Sequence, residues 1–203
     1  MQRIGILGGT FDPPHIGHLL LAEYTRETLA LDKVLFVPAG VQPLKPDIRS
    51  MVGHRLNMVK LAIQGNPNFA ISRVDMDRQG PHYTADTMPL IQEDYPGAKL
   101  FFLMGGDSLR DFPKWTRPQD IVRYARLAVM RRSDEDITAD MHDELIPNLS
   151  QSIDMVDTPL LSIWLSSSHV VERLNKGQSV RYLVPDAILA YIHDNNLYKE
   201  ELS

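Results

Sequence analysis

Short apolar segments alternate with longer helix-like segments along the chain, and this alternation limits the fold more than any other feature. The first apolar segment covers residues 3–7, ends at Gly8-Gly9 and precedes a helical pattern over residues 16–31. The order then repeats: strands are predicted at residues 34–37, 69–74, 100–104, 127–130 and 161–165, and helices at 51–63, 84–95, 167–174 and 185–193, with a kink or restart at Pro89. Strands that alternate with helices predict an α/β fold, a Rossmann-like doubly wound and mostly parallel sheet with helices on both faces.

The loops that directly follow the predicted strands are the candidate binding site. Sheets of this type bind ligands at the carboxyl ends of their strands. Four loops have this position: Gly8-Gly9, residues 38–45, residues 105–107 and residues 166–168. We expect them to converge on one crevice.

Composition bounds the domain count and the chemistry. The chain has 203 residues, of which 43% are hydrophobic, and its formal net charge is −5. One domain over residues 1–203 is the economical interpretation, with its C-terminal part, about 160–203, carrying a serine cluster and the closing helices. The absence of cysteine excludes thiol catalysis and cysteine-ligated zinc.

Charge and hydropathy also limit the partners. A sequence pI of about 5.8 and the lack of a run of five basic residues argue against binding of nucleic acid, which needs many Lys and Arg at phosphates. No apolar run reaches about 18 residues, and the apolar start of the chain is too short for a signal peptide. We therefore expect a cytoplasmic protein with no membrane partner, and a homo-oligomer is left open.

The segment after the first strand reads GGTFDPPHIGH over residues 8–18. Gly8 and Gly9 let the backbone approach a phosphate, and their N–H groups together with the start of the next helix can form an anion site. Thr10 adds a hydroxyl. A glycine pair after a strand can also be no more than a turn.

Two histidines in this segment lie three residues apart. At that spacing His15 and His18 share one face of the first helical turn, where both can donate to one polyphosphate, and Gly17 leaves room for it. A solvated helix face or half of a metal site are the alternatives. Zinc would need a third ligand, and the sequence has neither cysteine nor an HExxH pattern, so no protein-bound metal is expected.

Taken as one string, the segment resembles the signature of the nucleotidyltransferase superfamily, whose His-x-x-His is the counterpart of the HIGH motif of class I aminoacyl-tRNA synthetases. Within that superfamily, this form of the motif in a chain of this length is similar to the bacterial nicotinate mononucleotide adenylyltransferases. Phosphopantetheine adenylyltransferases are typically shorter and read closer to GSFDPxTxGH. Further matches follow in the family's order at residues 54–56, 80–84, 105–108, 112–115, 166–168, 183–186 and 196–198.

The resemblance implies a reaction and a set of site residues. ATP and nicotinate mononucleotide are joined into nicotinate adenine dinucleotide, pyrophosphate leaves, and Mg²⁺ accompanies the ATP. His15 and His18 are then the catalytic residues. The implied ATP-binding residues are Gly8, Gly9, Thr10, Phe11, His15, His18, Ser166, Ser167, Ser168 and Arg132, and the implied mononucleotide-binding residues are Lys45, Thr84, Gly106, Asp107 and Trp115.

Several of these residues also have a purely structural interpretation. By the resemblance Trp115 stacks on the pyridine ring, but it could be a hydrophobic plug. Thr84 is expected to cap its helix, beside backbone N–H groups that could bind the nicotinate carboxylate. Asp107 suits a ribose and Lys45 a phosphate, although a turn-forming Asp and a solvated Lys are alternatives. Asp12 is either a turn former or part of the chemistry, and N-capping alone would explain one of the three serines.

The sequence departs from the family pattern near the serine cluster. The family has an arginine where this chain has Val171. Arg173 cannot replace it, because two residues rotate a helical side chain by roughly 200°, and we expect Arg173 to form a surface or intramolecular ion pair. The candidate replacements are Arg131, Arg132 and Lys45.

A second departure concerns the loop after the second strand, where Ala39 and Leu44 stand in place of the family's Asn and His. These changes leave two alternatives open. One is the same chemistry on nicotinamide mononucleotide, or on both mononucleotides. The other is a nucleotide-binding regulator that has lost turnover, which Val171 and Leu44 motivate.

Overall fold

The computed structural model describes residues 1–40, 50–132, 136–158 and 165–198, with only the backbone described for Arg132 and Thr158. The strands are β1 (Arg3–Gly9), β2 (Lys33–Pro38), β3 (Phe69–Ile71), β4 (Lys99–Gly105), β5 (Ala125–Arg132) and β6 (Ile153–Thr158). The α-helices are α1 (Ile16–Thr28), α2 (Val52–Ile63), α3 (Thr84–Asp94), α4 (Gly106–Asp111), α5 (Pro118–Tyr124), α6 (Ser167–Asn175) and α7 (Asp186–Asp194). Short 3₁₀ turns cover Phe112–Lys114 and Leu149–Ser152.

The six strands form one parallel sheet in the order β3-β2-β1-β4-β5-β6. This confirms the predicted doubly wound α/β fold. The order reverses between β1 and β4, which are neighbours in the sheet although two strands separate them in the chain. A crevice opens at the carboxyl ends of the strands at such a reversal, and ligands bind there.

Alternating side chains of the central strands pack into two apolar clusters. Ile6 and Phe102 belong to the cluster that includes residues of α3, α4 and α5. Leu7 and Phe101 belong to the other, which includes residues of α1. Because successive strand residues point to opposite faces, this division shows that helices cover both faces of the sheet. None of the helices in the described ranges has the length and apolar character needed to span a bilayer.

The observed sixth strand, β6, was not predicted from the sequence. The strand predicted at residues 161–165 lies outside the described residues except for Leu165, which is not in a strand. The observed β6 contains two acidic residues that mask its strand pattern. Asp154 pairs with Arg126 at 2.7 Å, and Asp157 pairs with Arg131 at 2.8 Å. These ion pairs with β5 compensate the charges of the two carboxylates.

Two smaller points concern the helices. Helix α3 runs through Pro89 as one element, so of the predicted kink or restart the restart does not occur. The buried neighbours Met88 and Ile91 hold the helix in place where proline removes one hydrogen bond. Helices α4 and α5 were not predicted, because at six and seven residues they are too short to show a periodic pattern.

Candidate active site

A crevice of about 280 Å³ opens at the carboxyl ends of β1 and β4. Three of the four loops expected to converge contribute to its walls. The lining includes Gly8, Gly9, Thr10, Phe11, Asp12 and His18 from the first motif, Gly105 and Ser108 after β4, Trp115, and Ser167 and Ser168 of α6. Of the fourth loop, residues 41–45 lie outside the described residues, and Leu44 and Lys45 are among them. The structure thus brings eight of the fifteen predicted site residues to the crevice wall.

The loop after β1 is shaped by the ring of Phe11. Phe11 has a left-handed φ of 52°, and its ring is buried against Phe36. A Cβ atom added at Gly9 would lie 3.1 Å from that ring. Gly9 is therefore required by the packing of Phe11, and Phe11 supports the loop from within more than it offers a surface to a ligand.

His18 presents a defined donor to the crevice. The backbone N–H of His15 donates to Nδ1 of His18 at 3.1 Å. A ring nitrogen that accepts a hydrogen bond carries no proton, so in the neutral imidazole the proton is on Nε2. His18 can therefore donate from Nε2 to an oxygen of a ligand in the crevice.

His15 is buried and packs against His18. The two rings are stacked with their centroids 3.7 Å apart. Burial lowers the pKa of His15 to about 4, so the ring is neutral at pH 7. A Cβ atom at Gly17 would lie 3.0 Å from Nδ1 of His15. A side chain at position 17 would therefore crowd the His15 ring, and room for a phosphate beside Gly17 stays a prediction.

Each of the three serines before α6 has a different environment. Ser166 is the N-cap of the helix and accepts from the N–H of His169 at 3.1 Å. The hydroxyl of Ser167 donates to the carbonyl oxygen of Pro13 at 2.8 Å, which joins α6 to the loop after β1. Ser168 is exposed on the crevice wall. The start of α6 therefore faces the same crevice as the glycine loop, and helix N-termini attract anions.

Val171 occupies a buried position on α6. Arg173 donates from Nε to the carbonyl oxygen of Ser179 at 2.9 Å, a backbone hydrogen bond in place of the expected ion pair. Arg131 is bound to Asp157. The Arg132 side chain and Lys45, which were also predicted to supply the missing charge, lie outside the described residues.

Trp115 forms the opposite part of the crevice. Its ring is half-buried and lies edge-on to Phe102, with centroids 5.8 Å apart and an interplanar angle of 85°. The Trp115 ring also packs beside the ring of Phe112, with the two centroids 5.5 Å apart. These contacts fix the ring from two sides while part of it stays on the crevice wall.

The segment after β4 contributes differently from the prediction. Gly106 is buried as the first residue of α4, and Asp107 is exposed and paired with Arg110 at 3.0 Å. The residues of this segment that line the crevice are Gly105 and Ser108. Ser108 was within the quoted family match, so its position after a strand was the signal that could have identified it.

The N-cap of helix α3 lies one residue earlier than predicted. Its N-cap is Tyr83, and Thr84 is the first helical residue, so Thr84 does not cap the helix as predicted. Asp86 in the first turn is paired with Arg117. The positive end of the helix dipole remains at this position.

Arg55 was missed as a site residue, although it lies within the family match at residues 54–56. Its side chain is fully buried. The guanidinium donates to the carbonyl oxygens of Thr10 at 2.8 Å, Ala39 at 2.7 Å and Gly40 at 3.1 Å. Burial lowers the pKa of Arg55, and the charge of Asp12 opposes that shift. Arg55 thus joins the loop after β1 to the end of β2.

Comparison with known proteins defines the family. The model of the family described as cytidylyltransferase-like matches residues 6–173. The chain belongs to the cytidylyltransferase-like family. It is 42% identical over 200 residues to a protein of Thermomicrobium roseum named probable nicotinate-nucleotide adenylyltransferase. That alignment covers 98% of this chain and 92% of the relative. A protein of the same name from Dehalococcoides mccartyi is 43% identical over 202 residues, covering 98% of both chains.

A solved structure supports the fold of this cytidylyltransferase-like chain. Plasmodium falciparum nicotinic acid mononucleotide adenylyltransferase, complexed with NaAD, superposes with a TM-score of 0.79 over 98% of each chain at 20% identity. The resemblance inferred from the sequence motifs is confirmed by the family model and by these relatives.

Proposed function

We propose that this chain transfers the adenylyl group of ATP to nicotinate mononucleotide, giving nicotinate adenine dinucleotide and pyrophosphate in NAD biosynthesis. The observation that carries the proposal is the crevice at the strand-order reversal, where phosphate donors and an aromatic ring face one cavity. The relatives named for this activity match nearly the whole chain. The chain is therefore an adenylyltransferase, and not only a protein with the same fold.

The crevice needs to position two substrates and stabilise charge. A phosphate oxygen of the mononucleotide attacks the α-phosphorus of ATP in line, the new P–O bond forms, and pyrophosphate leaves with the electrons of the broken bond. No protein nucleophile takes part. Nε2–H of His18 donates to the departing phosphates, while the Gly8-Gly9 amides and the start of α6 bind the remaining oxygens. His15, neutral and stacked on His18, keeps that ring oriented.

The donor set fits an ATP molecule that carries its own Mg²⁺. The wall formed by the glycine loop, His18 and Ser168 offers amide, imidazole and hydroxyl donors, which bind phosphate oxygens and not a cation. Within the described ranges, no group of three or more His, Asp or Glu side chains is arranged to hold a metal ion. When bound to the phosphates, Mg²⁺ supplies charge neutralisation.

The mononucleotide is proposed to bind on the Trp115 side. The indole ring offers a flat face for the pyridine, and the start of α3 at Thr84 offers a positive dipole end for the nicotinate carboxylate. That carboxylate distinguishes the acid from its amide. The proposal keeps four further contacts from the sequence prediction: the mononucleotide binds Gly106, Asp107 and Lys45, and ATP binds Arg132. Asp107 binds after its ion pair with Arg110 has broken.

The test is pyrophosphate release from ATP and Mg²⁺ with three acceptors in parallel: nicotinate mononucleotide, nicotinamide mononucleotide and phosphopantetheine. We expect the highest kcat/KM with nicotinate mononucleotide. Equal use of the amide would replace the proposal by the dual-specificity alternative, and faster use of the amide by the nicotinamide mononucleotide alternative. ATP binding without release with any acceptor would favour the regulator, and use of phosphopantetheine would overturn the substrate assignment.

A further inference from the structure

Tyr198, near the C-terminal end of the chain, reaches the first motif. It follows helix α7, and its hydroxyl donates to Oδ1 of Asp12 at 2.6 Å. Burial raises the pKa of Tyr198, and the hydrogen bond to Asp12 raises it further, so the hydroxyl keeps its proton. The contact joins residues separated by 186 positions in the sequence.

Asp12 is the acceptor at which three segments meet. It is only 5% exposed. The hydroxyl of Ser50, just before α2, donates to Oδ1 at 2.5 Å, and the N–H of Ser50 donates to Oδ2 at 3.2 Å. Both carboxylate oxygens therefore accept from donors of the protein, which identifies Asp12 as a tie between segments and not merely a local turn former.

The loop that Asp12 belongs to is held by donors from distant parts of the chain. Arg55 binds the carbonyl oxygen of Thr10, and Ser167 binds that of Pro13. Between them, Phe11 adopts a left-handed conformation that is unfavourable for a residue with a side chain. Such a conformation persists only where the surroundings enforce it, and the hydrogen bonds to Asp12 are part of that enforcement.

We propose that Tyr198 is a positioning residue for adenylyl transfer, whose hydroxyl holds Asp12 and through it the loop of residues 10–13, which joins the Gly8-Gly9 turn to His15 and His18. The inference rests on the proposed function, since it assigns the residue to that same site. Donors aimed at a transition state are effective only if they are fixed in advance. Tyr198 makes its contribution without touching substrate, by keeping the backbone that precedes His15 and His18 in place.

The test compares two tyrosine hydroxyls that join α7 and its C-terminal extension to other segments. Tyr198→Phe removes the bond to Asp12. Tyr191→Phe is the matched control, because the Tyr191 hydroxyl contacts His54 at 3.0 Å and Asn57 at 3.1 Å on α2 and makes no described contact with the motif loop. We expect both variants to be folded without denaturant, and Tyr198→Phe to be the less stable, because it loses a buried hydrogen bond to a charged group. Tyr198→Phe should lower kcat about tenfold, the size expected for one hydrogen bond to a charged group, with the KM of the mononucleotide little changed. Tyr191→Phe should keep the kcat of the wild type.

A double-mutant cycle tests whether Tyr198 acts through Asp12. Asp12→Asn should lower kcat at least as much as Tyr198→Phe, and adding Tyr198→Phe to it should cost little more, because the acceptor is already altered. Losses that multiply would contradict the proposal. So would a Tyr198→Phe variant with wild-type kcat, or one impaired only as much as Tyr191→Phe.

Failure of this inference differs from failure of the proposed function. If the wild type turns over nicotinate mononucleotide and Tyr198→Phe does so equally well, only the positioning role is lost. If the wild type releases no pyrophosphate with any acceptor, the function is lost, and the loop is then tested by ATP binding in calorimetry. In that case Tyr198→Phe should bind ATP about tenfold more weakly than Tyr191→Phe, and equal affinities would overturn the positioning role.

Discussion

At the scale of single residues, one backbone hydrogen bond decides the chemistry of His18. The N–H of His15 donates to Nδ1 and so places the proton of the neutral ring on Nε2. The sequence predicted that both histidines face one polyphosphate. The structure places them differently, because His18 lines the crevice and His15 is buried against it.

His18→Ala tests the donor directly. Removing one preorganised donor commonly lowers kcat by about 10²–10³, and we expect that loss in steady-state pyrophosphate release, with an unchanged circular dichroism spectrum. His193→Ala is the control, because His193 is exposed on α7, with Nδ1 3.8 Å from Asp194, and belongs to no part of the proposed site. Full activity of His18→Ala would remove His18 from the mechanism.

The burial of His15 predicts a pH dependence of stability. Its folded-state pKa of about 4 lies below the ordinary value of 6.5, so the unfolded chain binds more protons between those values. The stabilising contribution is complete above about pH 6.5 and is lost as the pH falls toward 4. Lowering the pH from 7 to 5 should therefore decrease the unfolding free energy by about 2 kcal/mol through His15.

Urea unfolding at the two pH values measures this cost. His15→Gln cannot titrate, so its unfolding free energy should fall by about 2 kcal/mol less than that of the wild type. The same pH dependence in both proteins would show that the His15 ring is accessible to protons in the folded state.

At the scale of elements, α2 contributes a cation that joins two strand ends. Arg55→Ala leaves the carbonyl oxygens of Thr10, Ala39 and Gly40 without this donor and removes the positive charge near Asp12. Removing one partner from a buried charged network costs about 3–5 kcal/mol. We expect that loss in urea unfolding, and a small effect for Lys60→Ala, an exposed position on the same helix. A loss as small as that of the control would mean that the carbonyl groups are satisfied without Arg55.

The turn between α4 and α5 presents Trp115, and its role can be separated from ATP binding. Trp115→Ala should raise the KM of nicotinate mononucleotide about tenfold, within the range of one aromatic stacking contact, and change the KM of ATP much less. Trp115→Phe keeps a ring and should recover part of the loss. Equal changes in both KM values would indicate that the indole only fills a gap against Phe102 and Phe112.

Elements with strong local patterns were predictable from the sequence. The central strands are continuous apolar runs, and the glycines and histidines that follow β1 and the glycines at the end of β4 could be assigned to one site because parallel strands end at one edge. Strand β6 was missed because Asp154 and Asp157 look solvated until Arg126 and Arg131 are placed beside them. The role of Arg55 was missed because its partners are backbone carbonyl groups, which leave no mark in the sequence.

At the scale of the whole molecule, the strand order and the C-terminal segment act on the same place. The reversal between β1 and β4 opens the crevice, and Tyr198 returns from the far end of the sequence to Asp12 beside it. The site is therefore assembled from both ends of the described chain. A parallel sheet needs such long connections, and they bring residues of distant sequence together at its carboxyl edge.

The central claim is that the α-phosphorus of ATP, with its adenosine, is transferred to nicotinate mononucleotide. The most direct measurement uses two preparations of ATP, one with radioactive phosphorus at the α position and one at the γ position, and follows the label by chromatography. We predict that α label appears in nicotinate adenine dinucleotide and γ label in pyrophosphate, in equal amounts. Transfer of γ label to the mononucleotide, or α label that ends only in AMP, would contradict adenylyl transfer.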